Sequence, residues 1–116
     1  MNFSRLFLNR LQDQPDSSDT VVVIDVLRSF TTAAVAFERG AQAVYPVEGV
    51  VAAARLAAQM KASVSVGAIG GGDPVPGFDY GNSPSQLAAA GLAGKPVVLT
   101  TAAGVRGLQR FHHAQH

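Results

Sequence analysis

Apolar positions along the chain fall into short unbroken runs, set apart by alanine-rich stretches and by turns of glycine, proline and serine. Val21 to Ile24 is a continuous β-branched run, which predicts a strand buried on both faces. Ala43 to Val47, Val64 to Val66 and Pro96 to Leu99 repeat the pattern, with Pro46 marking a strand end or a sheet edge. Between them, residues 30–39 read as a helix with Gly40 placed for a left-handed C-cap. Residues 48–61 read as a second helix, alanine-rich, with Leu56 and Met60 four apart and Lys61 near its C-terminus. Ser83-Pro84-Ser85-Gln86 carries the signals of a helix start: Ser83 at the N-cap, Pro84 at the first helical position and Gln86 as the capping-box partner. That helix is short and ends at Gly91, and another begins after Gly104. Residues 1–11 fit either a short amphipathic helix or an edge strand, and residues 12–19, QDQPDSSD, read as a polar turn or linker.

None of the strand runs alternates apolar with polar, so a parallel sheet is favoured over a ferredoxin-like α+β arrangement. The order strand-helix-strand-helix-strand-loop-helix-strand-helix calls for right-handed crossovers. The expected fold is α/β: three layers, a mostly parallel sheet with flanking helices. It forms a single domain over residues 1–116, with a variable N-terminal segment at 1–19 and a frayed tail at 110–116.

Polar chemistry gathers where these runs end. Asp25 follows the first run at once, Arg28 comes three residues later, and Ser29, Thr31 and Thr32 open the helix. In open α/β sheets ligands bind at such strand ends. The chemistry fits an anionic, phosphate-bearing ligand with a divalent metal: a carboxylate for the metal, a guanidinium that grips an oxyanion, and hydroxyls with free N–H groups at the helix start. A structural ion pair between Asp25 and Arg28, or a hydroxyl that caps the helix, explains the same residues without a ligand. Gly67 to Asp79 holds five glycines and two prolines in thirteen residues, too long for a plain connector. Gly70, Gly71 and Gly72 permit close backbone approach to a ligand or make a flexible loop. Asp79, Asn82 and Ser83 offer an acid, an amide and a hydroxyl at a helix start, with Asp79 either a second metal ligand or the head of an Asx turn. Thr100, Thr101 and Arg106 follow the last strand, at the same sheet edge as Asp25. Thr31-Thr32-Ala33-Ala34 and Thr100-Thr101-Ala102-Ala103 each follow an apolar run and place two hydroxyl pairs at strand ends. His112, His113 and His116 fall on the tail and are read as non-functional.

Composition removes whole classes of function. Charged residues are only 15% of the chain and hydrophobic ones 47%, which sets it apart from disordered chains. A net charge of +1 gives no broad field for nucleic acid or an acidic membrane. There is no cysteine, hence no disulfide, zinc-thiolate site or thiol nucleophile, which suits the cytoplasm. No apolar run approaches the ~20 residues of a membrane span, and Arg5 and Arg10 interrupt the only stretch resembling a signal peptide. No P-loop or dinucleotide fingerprint is present. A haloacid-dehalogenase mechanism lacks its second aspartate, since Leu27 stands in that place.

Three segments, VVVIDVLRSFTTA, PGFDYGNSP and VVLTTAAGVRGLQ, resemble in order the motifs of the 2-phosphosulfolactate phosphatases: VVIDVLRATTT, then GERGG and GFDLGNSP, then TTTNGTRAL. The resemblance runs from Thr20 to Gln109. It implies a Mg²⁺-dependent hydrolysis of 2-phospho-3-sulfolactate to 3-sulfolactate and phosphate, a step toward coenzyme M. The matching positions are Asp25, Arg28, Thr31, Thr32, Gly71, Gly72, Gly77, Asp79, Gly81, Asn82, Ser83, Thr100, Thr101, Gly104 and Arg106. On chemical grounds Asp25 and Arg28 are the expected catalytic pair, and Asp25 and Asp79 the metal ligands. Thr31, Thr32, Gly71, Gly72, Asn82, Ser83, Thr100, Thr101 and Arg106 are the expected contacts to a small phosphorylated and sulfonated acid. Departures stand beside the match: the family's Glu-Arg falls at Ile69 and Gly70, its Asn at Ala103 and a Thr at Val105. Members of the family run well beyond this length, so the chain is expected to be an incomplete half of a larger α/β domain. Apolar edges left bare on a half-size sheet make self-association the expected state. A relative that only binds an anion or a partner chain is the alternative.

Overall fold

The computed structural model describes residues 20–114, so the readings for residues 1–19 and for His116 fall outside it. Among the described residues four strands form one sheet: β1 (Ala43–Pro46), β2 (Val64–Gly67), β3 (Tyr80–Gly81) and β4 (Pro96–Thr100). Their order across the sheet is β1-β4-β2-β3, and every pairing is parallel. Pro46 lies in β1, an edge strand, where its missing N–H costs no ladder bond. The described residues supply four flanking α-helices: α1 (Ser29–Glu38), α2 (Val50–Gln59), α3 (Pro84–Ala88) and α4 (Gly104–Arg110).

In the ladder Val64 sits beside Val97, and Val66 beside Leu99. These four share one face, and they form a single core with Ala36 of α1, Leu87 of α3, Ala90 and Leu92. The helix α2 packs on β2 and β4 through its buried Ala53 and lies outside that cluster, which gives the expected layering. Gly40 ends α1 at φ +83°. Its N–H donates to the Phe37 carbonyl and that of Ala41 to the Ala36 carbonyl, so two otherwise orphaned carbonyls are satisfied. At α3, Ser83 caps the Gln86 N–H as expected, but Gln86 Oε1 reaches past Ser83 to accept from the Gly81 N–H.

One expectation is corrected. Val21 to Ile24 is not a strand and joins no ladder among the described residues. It is an irregular segment that meets α4 at Val23 and Asp25, half-buried at Val21, Val23 and Asp25 and exposed between them. Val22 and Ile24 are 77% and 78% exposed. Gly104 and Gly107 are three residues apart on α4, hence on one helix face. A Cβ built on Gly107 would lie 3.0 Å from Val23 Cγ1, and one on Gly104 would lie 2.6 Å from Asp25 Oδ2. The segment therefore rests in a trough left by two missing side chains, and none of the described residues covers its other face.

Candidate active site

All four strands point the same way, so their C-terminal ends share one margin. Thr100 closes β4 there and Thr101 follows it, both buried. Gly67 closes β2, and it has to be glycine because a Cβ would meet Thr100 Cγ2 and the Thr100 carbonyl oxygen at 2.8 Å. Asn82 follows β3, buried, with its Oδ1 lacking a hydrogen-bond partner among the described residues.

The start of α1 closes over this margin. Ser29, its first residue, is buried, and its hydroxyl donates to Thr101 Oγ1 at 2.8 Å, across 72 positions of sequence. Asp25 Oδ2 and Ser29 Oγ crowd the same point, where a Gly104 side chain would otherwise be (2.6 and 2.9 Å). A carboxylate and two hydroxyls from two distant stretches of the chain thus converge on the first turn of α4. Arg28, exposed, extends to the glycine loop after β2, where its Nη2 donates a long 3.5 Å bond to the Gly72 carbonyl. That loop is a tight turn at Gly70–Gly72 with Gly71 at φ +84°, closed by the Ile69 N–H bonded to the Asp73 carbonyl. A Cβ at Gly72 would sit 2.7 Å from Nη2, from which the exposed Arg28 side chain can swing away; the φ of +90° is what favours glycine there.

Other expected contacts are engaged elsewhere. Thr31 donates its hydroxyl to the Val26 carbonyl at 2.6 Å, on an exposed face. Thr32 is fully buried and its Oγ1 has no partner among the described residues. No side chain of the described residues caps α1, so the capping explanation for these hydroxyls does not hold. Ser83 spends its oxygen on its own helix and on a 3.0 Å contact with Ser85 Oγ. Arg106 lies on the outer side of α4, 3.5 Å from Glu48 in an exposed ion pair. The two border an open depression of about 690 Å³ that Gln109, Arg110 and His112 complete. His112 Nδ1 is 2.6 Å from the Gln109 carbonyl oxygen, and its ring meets that of His113 edge-on.

Asp79 is the main displacement. Its Oδ2 accepts from both the N–H (2.8 Å) and the hydroxyl (2.7 Å) of Ser65, and its own N–H donates to Ser65 Oγ at 3.0 Å. Ser65 is level with Val98, two residues short of Thr100. Asp79 instead borders a depression at the N-terminal margin, with Val64 and Lys95. The structure does not bring it to Asp25, so the expected two-carboxylate metal set does not form. Among the described residues no group of three or more acids and histidines is placed to hold a metal ion. Asp25 alone fits the sparser style of magnesium, which uses one or two carboxylates with water and substrate oxygens. Ser65 and Glu48, the partners of Asp79 and Arg106, were missed from the sequence; a lone serine inside an apolar run was the available signal for the first.

Residues 6–116 match the family model of 2-phosphosulpholactate phosphatase. The chain belongs to this family. It is 42% identical over 90 residues to a probable 2-phosphosulfolactate phosphatase of Carboxydothermus hydrogenoformans, covering 78% of this chain and 37% of that one. Against the proteins of the same name from Thermus thermophilus and Gloeobacter violaceus, identity is 42% over 88 residues and 39% over 99. Those matches cover 76% and 83% of this chain and 36% and 41% of the relatives. The chain therefore spans about two-fifths of the length of the phosphatases it matches. Among its described residues no helix is long and apolar enough to cross a membrane.

Proposed function

We propose that this chain carries the phosphate-binding part of a Mg²⁺-dependent phosphatase acting on 2-phospho-3-sulfolactate, in the cytoplasm and on a route to coenzyme M. The observation that carries the reading is the meeting of Asp25, Ser29 and Thr101 at Gly104, beside the margin where α/β sheets take their ligands. Hydrolysis joins the oxygen of water to phosphorus and breaks the P–O ester bond, and the protons of that water pass to the phosphate and to the hydroxyl of sulfolactate. Arg28 is suited to hold a phosphate or sulfonate oxygen through its fork of donors. Asp25 would hold the magnesium, which when bound neutralises charge on the phosphoryl oxygens. The anion-only reading is favoured by one observation: Ile69 is exposed and Gly70 has open space around it, where the family's quoted motif has an acid and a base.

The test is release of phosphate from 2-phosphosulfolactate with and without Mg²⁺. Release that requires Mg²⁺ and falls by roughly a hundredfold or more in Asp25→Asn is the expected result. Sulfolactate binding with no release above the blank selects the anion-only reading.

A further inference from the structure

We propose that Ser29 is a positioning residue that makes Thr101 an obligate hydrogen-bond donor toward the bound anion; this rests on the functional reading above. A threonine hydroxyl has one proton to give and two lone pairs to receive. At Thr101 both lone pairs are taken: Ser29 Oγ–H donates at 2.8 Å, and the Val105 N–H donates at the longer 3.4 Å. What Thr101 has left is its proton. Sulfonate oxygens and the deprotonated oxygens of a phosphate accept hydrogen bonds and offer none, so a hydroxyl whose lone pairs are occupied is matched to them.

The geometry singles out Ser29 for this task. Thr31, two residues on, spends its hydroxyl on the Val26 carbonyl. Ser29 is 2% exposed, so its bond to Thr101 is shielded from competing water. It reaches that position only because Gly104 has no side chain, since a Cβ there would lie 2.8 Å from Ser29 Cβ. The family motif quoted above has alanine in this place, so the hydroxyl is an addition of this chain, and its removal should weaken the site rather than abolish it.

The test uses the full chain with Mg²⁺, and reads inorganic phosphate binding by calorimetry together with KM and kcat for phosphate release. Ser29→Ala is expected to weaken phosphate binding about fivefold and to raise KM more than it lowers kcat. Thr101→Val should lose more, and adding Ser29→Ala to it should lose nothing further, because Ser29 acts through Thr101. Ser29→Thr should restore binding. If Ser29→Ala fails to fold, Ser29→Cys, similar in volume but a weak donor, is expected to show the same loss. Phosphate binding unchanged in Ser29→Ala, or losses that add in the double variant, overturns the inference and leaves the functional reading standing. A wild-type chain that neither binds phosphate nor releases it overturns both.

Discussion

The runs Val21 to Ile24 and Val97 to Leu99 are nearly the same sequence and meet opposite fates. The second is the centre of the sheet, hydrogen-bonded on both sides and buried. The first lies on α4 with Val22, Ile24, Val26 and Leu27 exposed, Leu27 at 88%. An apolar run without alternation says that both faces want cover; it does not say what covers them. Strand β4 is covered because β1 and β2 flank it and α1, α2 and α3 close its faces. The N-terminal run has one helix beneath it and nothing among the described residues above it.

Three measurements sharpen that contrast. The largest effect is expected from truncating the two runs in turn. Leu99→Ala should cost about 2–5 kcal/mol in urea unfolding, as for other buried leucines. Ile24→Ala should cost less than about 0.5 kcal/mol, as for exposed positions. Equal costs would mean that the N-terminal run is buried in solution. The two glycines of the trough come next. Gly104→Ala puts a methyl group onto Asp25 and Ser29 and should cost about 1–3 kcal/mol, with faster amide exchange over residues 21–29. Gly107→Ala has a Val23 methyl group in its way at 3.0 Å, which can shift, so its cost should be smaller. The reverse order would place the segment elsewhere on α4. The smallest effect concerns association: sedimentation should show self-association at high concentration, reduced by Ile24→Lys. A monomer at every concentration would remove the expectation that the bare run attracts a second copy.

Local rules fixed much of this architecture in advance. Gly40 ends α1, Pro46 marks an edge strand and Ser83-Pro84 opens α3, each for a reason carried by one or two residues. The parallel sheet followed from runs without alternation. The failed strand had the same local signal as β4, and only the choice of neighbours, a property of the whole chain, separates them. At the site, Asp25 and Thr101 were legible as polar residues ending apolar runs. That they share a sheet edge was expected; the Ser29–Thr101 bond beside Gly104 was not, because it depends on how α1 and α4 come together across 72 residues. Asp79 misled for a related reason: it stands in a motif with Asn82 and Ser83, yet an acid placed just before a strand can turn back along it.

That turn has a cost-saving result for the sheet. A strand of two residues makes too few ladder bonds to hold its own register. With Ser65, the Asp79 side chain imitates one more rung, pinning the start of β3 so that Asn82 emerges at a fixed height. An acid in the middle of a ligand-like motif can thus serve as a clasp, setting the height at which the next amide emerges.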